Sequence, residues 1–196
     1  MTKKISISGW SCHIPGQEVD LSAVPLSSRR RLSSIQKIYF ALASRASAAE
    51  YAAAVFATKN GEDSVTRRLV DDFNCDGSVS PQRFSSSVYN AAPGLWSIFA
   101  GNHSTYTAVA AGEESLEAGL IEALTGPMPS LCVYAEETDG GYGIGVQFDS
   151  CGDGGVEVEF SFDSSASALS FDDFVAFLSS DRGEAAGRYI RFKRMP

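Results

Sequence analysis

The sequence predicts an α/β fold: a mostly parallel sheet with helices on both faces, then an antiparallel β extension and a short helix. Three observations predict it. Between Ile5 and Glu136, short apolar runs suited to strands alternate with longer runs whose apolar residues recur every three or four positions. Beyond Asp139-Gly140-Gly141 the period shortens to two, in Tyr142–Phe148 and Val156–Phe162, with Gly-rich turn sequence between them. A chain of 196 residues, 44% of them hydrophobic, is long enough to bury one sizeable core. Residues 1–137 are therefore read as one domain and 138–196 as a hairpin and helix packed on it.

Lys4–Trp10 alternates apolar and polar residues up to Gly9 and reads as the first strand. After a loop with Pro15, Gly16 and Pro25, residues Leu32, Ile35, Tyr39 and Leu42 share one helical face, with Arg29, Arg30, Arg31 and Lys37 on the wet side. The Ala-rich run to Ala53 extends or splits that helix. Ala54–Thr58 reads as a buried central strand closed by Asn60-Gly61. Asp63-Ser64 caps a helix through Arg67, Leu69 and Phe73. A second helical segment, Phe84–Ala92, is expected to break at Pro93-Gly94 and resume over Leu95–Ala100. Tyr106–Ala110 follows as a strand and Ala111-Gly112 as a tight turn. Glu113–Leu124 is then a helix with Leu116, Leu120 and Leu124 on one face and Glu117 and Glu122 off it.

Gly126-Pro127 ends that helix, and Ser130–Ala135 is another buried strand. In the extension the two alternating segments should pair as a hairpin. Ser170–Leu178 reads as a short amphipathic helix opened by a Ser cap, with Asp172 and Asp173 in its first turn, and Tyr189–Lys193 as an edge strand.

Sixteen basic residues against 24 acidic give a net charge of −8, which argues against nucleic acid or an anionic membrane as partner; the Arg29–Arg31 cluster is too small to reverse it. Cys12, Cys75, Cys132 and Cys151 form no C-x-x-C pair, so buried free thiols in a reducing cytosol are expected, with no metal and no cofactor. No apolar stretch is long enough for a signal peptide or a membrane span, so a soluble cytoplasmic protein is expected. His13 and His103 fall in predicted loops with no nucleophile motif around them.

One motif imitates a calcium loop. Asp72, Asn74, Asp76, Gly77, Val79 and Ser80 occupy the first, third, fifth, sixth, eighth and ninth positions of an EF-hand-like loop. The twelfth position needs a bidentate Glu and holds Arg83, and Pro81 falls where the exiting helix should begin. An Asp, Asn and Gly turn between two helices is the expected structure, without calcium.

Four stretches carry a family resemblance: Arg29–Ser33 with Gln36-Lys37, the run VFAT with Gly61, Ser80–Ile98 (SPQRFSSSVYNAAPGLWSI), and TAVAAGEES leading into Gly119–Ala123. With these the chain resembles, from about Ile5 to Glu136, short ketoacyl-synthase-like proteins of aryl polyene and related fatty-acid-like type II pathways, described as an N-terminal ketoacyl-synthase domain or chain length factor. The resemblance implies the N-terminal half of a thiolase-like fold. In a catalytic member the strand matching Tyr106–Ala110 feeds an Ala-Cys-Ser-Ser-Gly elbow whose Cys sits at a helix N-terminus. Here the elbow reads Ala111, Gly112, Glu113, Glu114, Ser115, so Gly112 stands where the Cys is expected.

The resemblance further implies two catalytic histidines in a C-terminal half for which this sequence has no room. A non-catalytic, chain-length-factor-like subunit is therefore expected, not an enzyme. It would pair with a full-length beta-ketoacyl synthase, with acyl carrier protein as a further candidate partner through that complex; whether it forms a homodimer when alone stays open. Phe84, Val88, Tyr89, Asn90, Trp96, Tyr106 and Ala108 are the candidates for interface or acyl-tunnel lining. For Phe84, Val88, Tyr89 and Trp96, ordinary core is the equal alternative, while Asn90 is expected to tie the broken helix to neighbouring backbone. Glu113 and Glu114 have a plain reading as first-turn carboxylates, with a plug or general-base role for Glu113 as the functional one. The alternatives to a partner subunit are a free-standing acyl-thioester enzyme using Ser115 or Ser87 and a homodimeric interaction module.

Overall fold

A computed structural model describes residues 1–47, 50–150 and 155–195. Its eight strands are β1 (Thr2–His13), β2 (Ala53–Ala57), β3 (Thr105–Val109), β4 (Ser130–Glu136), β5 (Tyr142–Ser150), β6 (Val156–Phe160), β7 (Glu184–Ala186) and β8 (Ile190–Arg194), and they form one sheet in the order β3-β2-β4-β5-β1-β6-β8-β7. Its helices are α1 (Leu26–Arg29), α2 (Ser34–Ala46), α3 (Asp63–Asp76), α4 (Pro81–Ser86), α5 (Ala91–Ala100), α6 (Ser115–Thr125) and α7 (Phe171–Leu178).

The α/β class stands, with helices on both faces, but the expectation of a mostly parallel sheet does not. Only β2 with β3 and β2 with β4 pair in parallel; the other five pairings are antiparallel. Both parallel pairs are joined through helices, as crossover connections require. The expected hairpin is also absent, because β1 lies between β5 and β6 and pairs with both. At twelve residues β1 exceeds the expected Lys4–Trp10 at both ends, pairing with β6 through Thr2–Ile5 and with β5 through Ile5–His13. The expected edge strand, β8, is instead flanked by β6 and β7. Cys151 and most of the Gly-rich turn before β6 lie outside the described residues, as do Ala48 and Ala49 of the Ala-rich run.

Strand alternation feeds two cores. Val55 and Ala57 of β2 and Cys132 and Tyr134 of β4 face α6 and α7, with Phe148, Val158, Phe174, Phe177 and Phe192. Ala54, Phe56, Leu131, Val133 and Ala135 face α2 and α5, with Ile38, Phe40, Leu42 and Trp96. Burial on both faces makes β2 and β4 continuous apolar runs, which is how they were legible as strands. α2 starts at a capping box: Ser33 Oγ accepts from Gln36 N, and Gln36 Oε1 accepts from Ser33 N. It lies close on the sheet because β5 carries glycine beneath it: a Cβ at Gly145 would come within 2.9 Å of the Leu42 carbonyl oxygen.

Pro93-Gly94 does not break a helix. Both sit in the first turn of α5, where the proline's missing N–H has no partner to lose, and the break falls earlier, between Ser86 and Ala91. The calcium-like run is the last turn of α3, closed by Gly77 in a left-handed conformation, with Asp72 in an ion pair with Arg83 at 2.6 Å. Among the described residues, no helix is long and apolar enough to cross a membrane.

Candidate functional site

Two features lie around β3. The first is its free side: among the described residues β3 pairs with β2 only, closing the sheet and leaving its other edge without a strand. The second is the helical stretch leading to it. In α3 only Leu69 is buried, and in α4 no residue is. Apolar side chains are exposed along this stretch: Val70, Phe73, Phe84 (59% exposed), Val88, Tyr89, Leu95, Ile98 (80%) and, on β3, Tyr106. A monomer rarely leaves so many large apolar groups in water on adjoining elements.

The expected lining residues divide. Phe84, Val88, Tyr89 and Tyr106 are on this outer surface, and Ala108 is half-buried on β3. Tyr89 lies on Gly61, so that a Cβ there would meet the ring at 2.6 Å. Asn90 is exposed at the start of α5 and makes no side-chain cap bond; its carbonyl accepts from Gly94 N at 3.1 Å. Trp96 is 5% exposed and belongs to the core, donating from Nε1 to Tyr51 Oη at 2.7 Å and packing on Phe40 and Phe99. Leu95 and Ile98 escaped the sequence reading. The signal was there, since α5 is apolar all round and one side of it had to face something other than the core.

At the other end of β3 the chain turns sharply. Gly112 sits at φ 60°, a left-handed conformation that glycine adopts freely, and starts a short 3₁₀ turn, Gly112–Glu114, that runs into α6. Space around Gly112 is open: a Cβ there would meet nothing within 4 Å. The strand, sharp turn and helix expected of the elbow are present, and Ala111, Gly112 and Glu113 are exposed. Glu113 pairs with Lys59, which raises the lysine's pKa through their hydrogen bond. Glu114 pairs with Arg188 at 2.6 Å. Ser115 Oγ donates to the Gly112 carbonyl and accepts from Ala111 N, which commits the hydroxyl to the turn.

A cavity of about 480 Å³ opens beside the elbow, lined by Glu113, Glu114, Leu116, Tyr134, Tyr142, Phe171 and Arg188 among others. Burial pushes the Tyr134 phenol well above its ordinary range, and its hydrogen bond with Tyr142 adds to the effect. Behind the cavity Glu117, fully buried, accepts from the main-chain N–H groups of Leu169, Tyr189 and Ile190, so α6 holds the C-terminal segment over the elbow.

The cysteines depart from expectation. Cys132 is buried, and burial pushes its thiol up to about 12, but Cys12 is half-buried and Cys75 exposed on the uncovered helix α3. His13 is not in a loop but at the end of β1, 6% exposed, where burial lowers its pKa; His103 is exposed between α5 and β3.

Among solved structures, the chain is similar to one from a complex of the ketosynthase ApeO with its chain length factor ApeC from Xenorhabdus doucetiae. The TM-score is 0.77 at 18% identity, over 98% of this chain and 99% of that one. It is also similar to a chain of the ishigamide ketosynthase/chain length factor, with a TM-score of 0.64 at 15% identity over 82% of this chain and 68% of that one. At these identities the likeness shows the fold, a thiolase-like ketosynthase fold. No curated protein matches the sequence significantly. The family model for the beta-ketoacyl synthase N-terminal domain matches residues 8–138 and so spans α3, α4, α5, β3, the elbow and α6, and the chain belongs to that family.

Proposed function

We propose that this chain is a non-catalytic, chain-length-factor-like partner of a full-length beta-ketoacyl synthase in an aryl polyene or fatty-acid-like type II pathway. The observation that carries the proposal is the open edge of β3 set beside the exposed apolar side chains of α3, α4 and α5. An uncovered strand edge and a large apolar surface both call for another chain, and together they offer main-chain hydrogen bonds and buried area to one partner. Phe84, Val88, Tyr89, Asn90, Tyr106 and Ala108 lie on the partner-facing side, and Trp96 supports α5 from the core. Gly112 supports the non-catalytic part, because glycine provides no nucleophile, and the hydroxyl of Ser115, which bonds to the Gly112 carbonyl, is held by the turn. That the solved relatives are described as ketosynthase with chain length factor agrees with this reading. Acyl carrier protein reaches the chain through the synthase.

Co-expression with a full-length synthase, affinity purification and light scattering should give a heterodimer. A chain that stays monomeric beside micromolar synthase would overturn the proposal, and a homodimer that ignores the synthase would replace it with a self-pairing module. Incubation with acyl-carrier-protein thioesters followed by intact mass should leave the chain unmodified, and a covalent acyl adduct would make it an enzyme.

A further inference from the structure

The two helices α3 and α4 form an arm with little burial of its own, since Leu69 is their one buried residue. Short helices without a packed face are marginal in water, so the arm depends on its root. The root is a cluster of carboxylates. Glu136, at the end of β4, accepts from Thr58 Oγ1 at 3.1 Å, from Lys59 N, and from Asn60 N and Nδ2 at 3.3 and 3.2 Å. Glu137 accepts from Ser64 N and Oγ at 2.6 and 2.9 Å, capping α3.

Glu62, directly before α3, is different. It is 5% exposed; its Oε1 accepts from Gln36 Nε2 at 2.7 Å, and its Oε2 is buried and makes no hydrogen bond of good geometry, the Ser33 hydroxyl being the polar group beside it. A buried carboxylate left half-satisfied is tolerable when neutral and costly when charged.

We propose that Glu62 is a proton-dependent latch for the docking arm: neutral, it keeps the root closed and the arm against the body; ionised, it opens the root and loosens the arm. The importance of the latch for docking rests on the function proposed above, but the latch itself is a property of the free chain. The groups around Glu62 favour this behaviour. From α2 come Ser33, Gln36 and Tyr39, whose phenol donates to the Ala57 carbonyl. Glu137 comes from just beyond β4, Glu136 at the end of β4 acts on Tyr39, and Tyr89 lies on the adjoining Gly61. The cation of the loop, Lys59, is engaged by Glu113. Burial pushes the Glu62 carboxyl up to about 7; Ser33 and Gln36 oppose the rise and Glu137 adds to it. Because that value lies above the ordinary 4.5, the closed root is fully favoured in acid and is weakened as pH rises through neutrality.

Hydrogen exchange of the arm amides, residues 63–90, in the free chain tests this. After correction for intrinsic rates, opening should increase about tenfold between pH 6 and pH 8 if the carboxyl regains its ordinary pKa on opening. The neutral isostere Glu62→Gln should abolish the increase. Opening that does not change with pH, or that changes equally in Glu62→Gln, would overturn the proposal. A carbon-13 titration of the Glu62 carboxyl in the unmutated chain needs no variant: a midpoint near neutrality supports the latch, and one below pH 5 rejects it. Synthase binding over the same pH range separates the two readings. An arm that loosens while no synthase binds at any pH keeps the latch and removes the docking; pH-independent binding with a rigid arm does the reverse.

Discussion

A carboxylate removed from water has to be met by donors, and Glu117 of α6 is met by three main-chain N–H groups, those of Leu169, of Tyr189 just before β8, and of Ile190 at its start. Glu117→Ala strands those donors in the interior. The expected loss is about 3 kcal/mol, or roughly 6–12 °C in melting temperature for a chain of this size, measurable by calorimetry. Glu62 gives the opposite sign. Its carboxyl is raised from 4.5 to about 7, so stability is highest in acid and falls as pH climbs between those values, by on the order of 3 kcal/mol in all. Urea unfolding at a series of pH values should show that fall in the unmutated chain and a flatter profile in Glu62→Gln, which is then the more stable protein at pH 8. Neither role was legible at the residue level. Glu117 read as a helix residue off the core face, because the segment that buries it arrives some fifty residues later in the chain, with Leu169.

At the scale of the element, the close approach of α6 to the sheet is decided by one glycine. A Cβ at Gly119 would stand 2.5 Å from the Ala57 Cβ of β2. Alanine is the better helix former by about 1 kcal/mol, yet here overpacking outweighs propensity. Gly119→Ala is expected to cost a net of about 1–2 kcal/mol, read as a lower urea midpoint with an unchanged slope. Local chemistry announced several elements correctly: Ser170 caps α7 by accepting from Asp173 N at 3.1 Å, and Gly126 follows the last residue of α6. It failed at α5, where Pro93 looked like a breaker and instead occupies the first turn, the one part of a helix that does not need its N–H. The elbow was legible as a strand, a turn and a helix, since each has its own short-range signature, and Gly112 was identifiable by its place in that order.

For the whole molecule, the uneven distribution of exposed apolar groups is the feature that bears on function. Ile98→Glu and Phe84→Glu alter side chains that water already reaches, so each should change the stability of the chain alone by no more than about 0.5 kcal/mol. In the proposed synthase complex the same changes would place a charge in the docking face, and at least about a tenfold loss of synthase affinity is expected by calorimetric titration. Retained affinity in both variants would move the partner elsewhere on the surface. The sequence by itself determined the α/β class, most strands and helices, the family, and the glycine at the turn between β3 and α6, because periodicity, caps and motifs are written within a few neighbouring residues. Only the tertiary structure decided that β1 lies between β5 and β6, that the sheet is mainly antiparallel, that Trp96 faces inward while Ile98 faces out, and that Glu62 and Glu117 are buried. Strand pairing is made by main-chain groups common to every residue, and burial is set by segments distant in the chain, so neither leaves a signature in the local sequence.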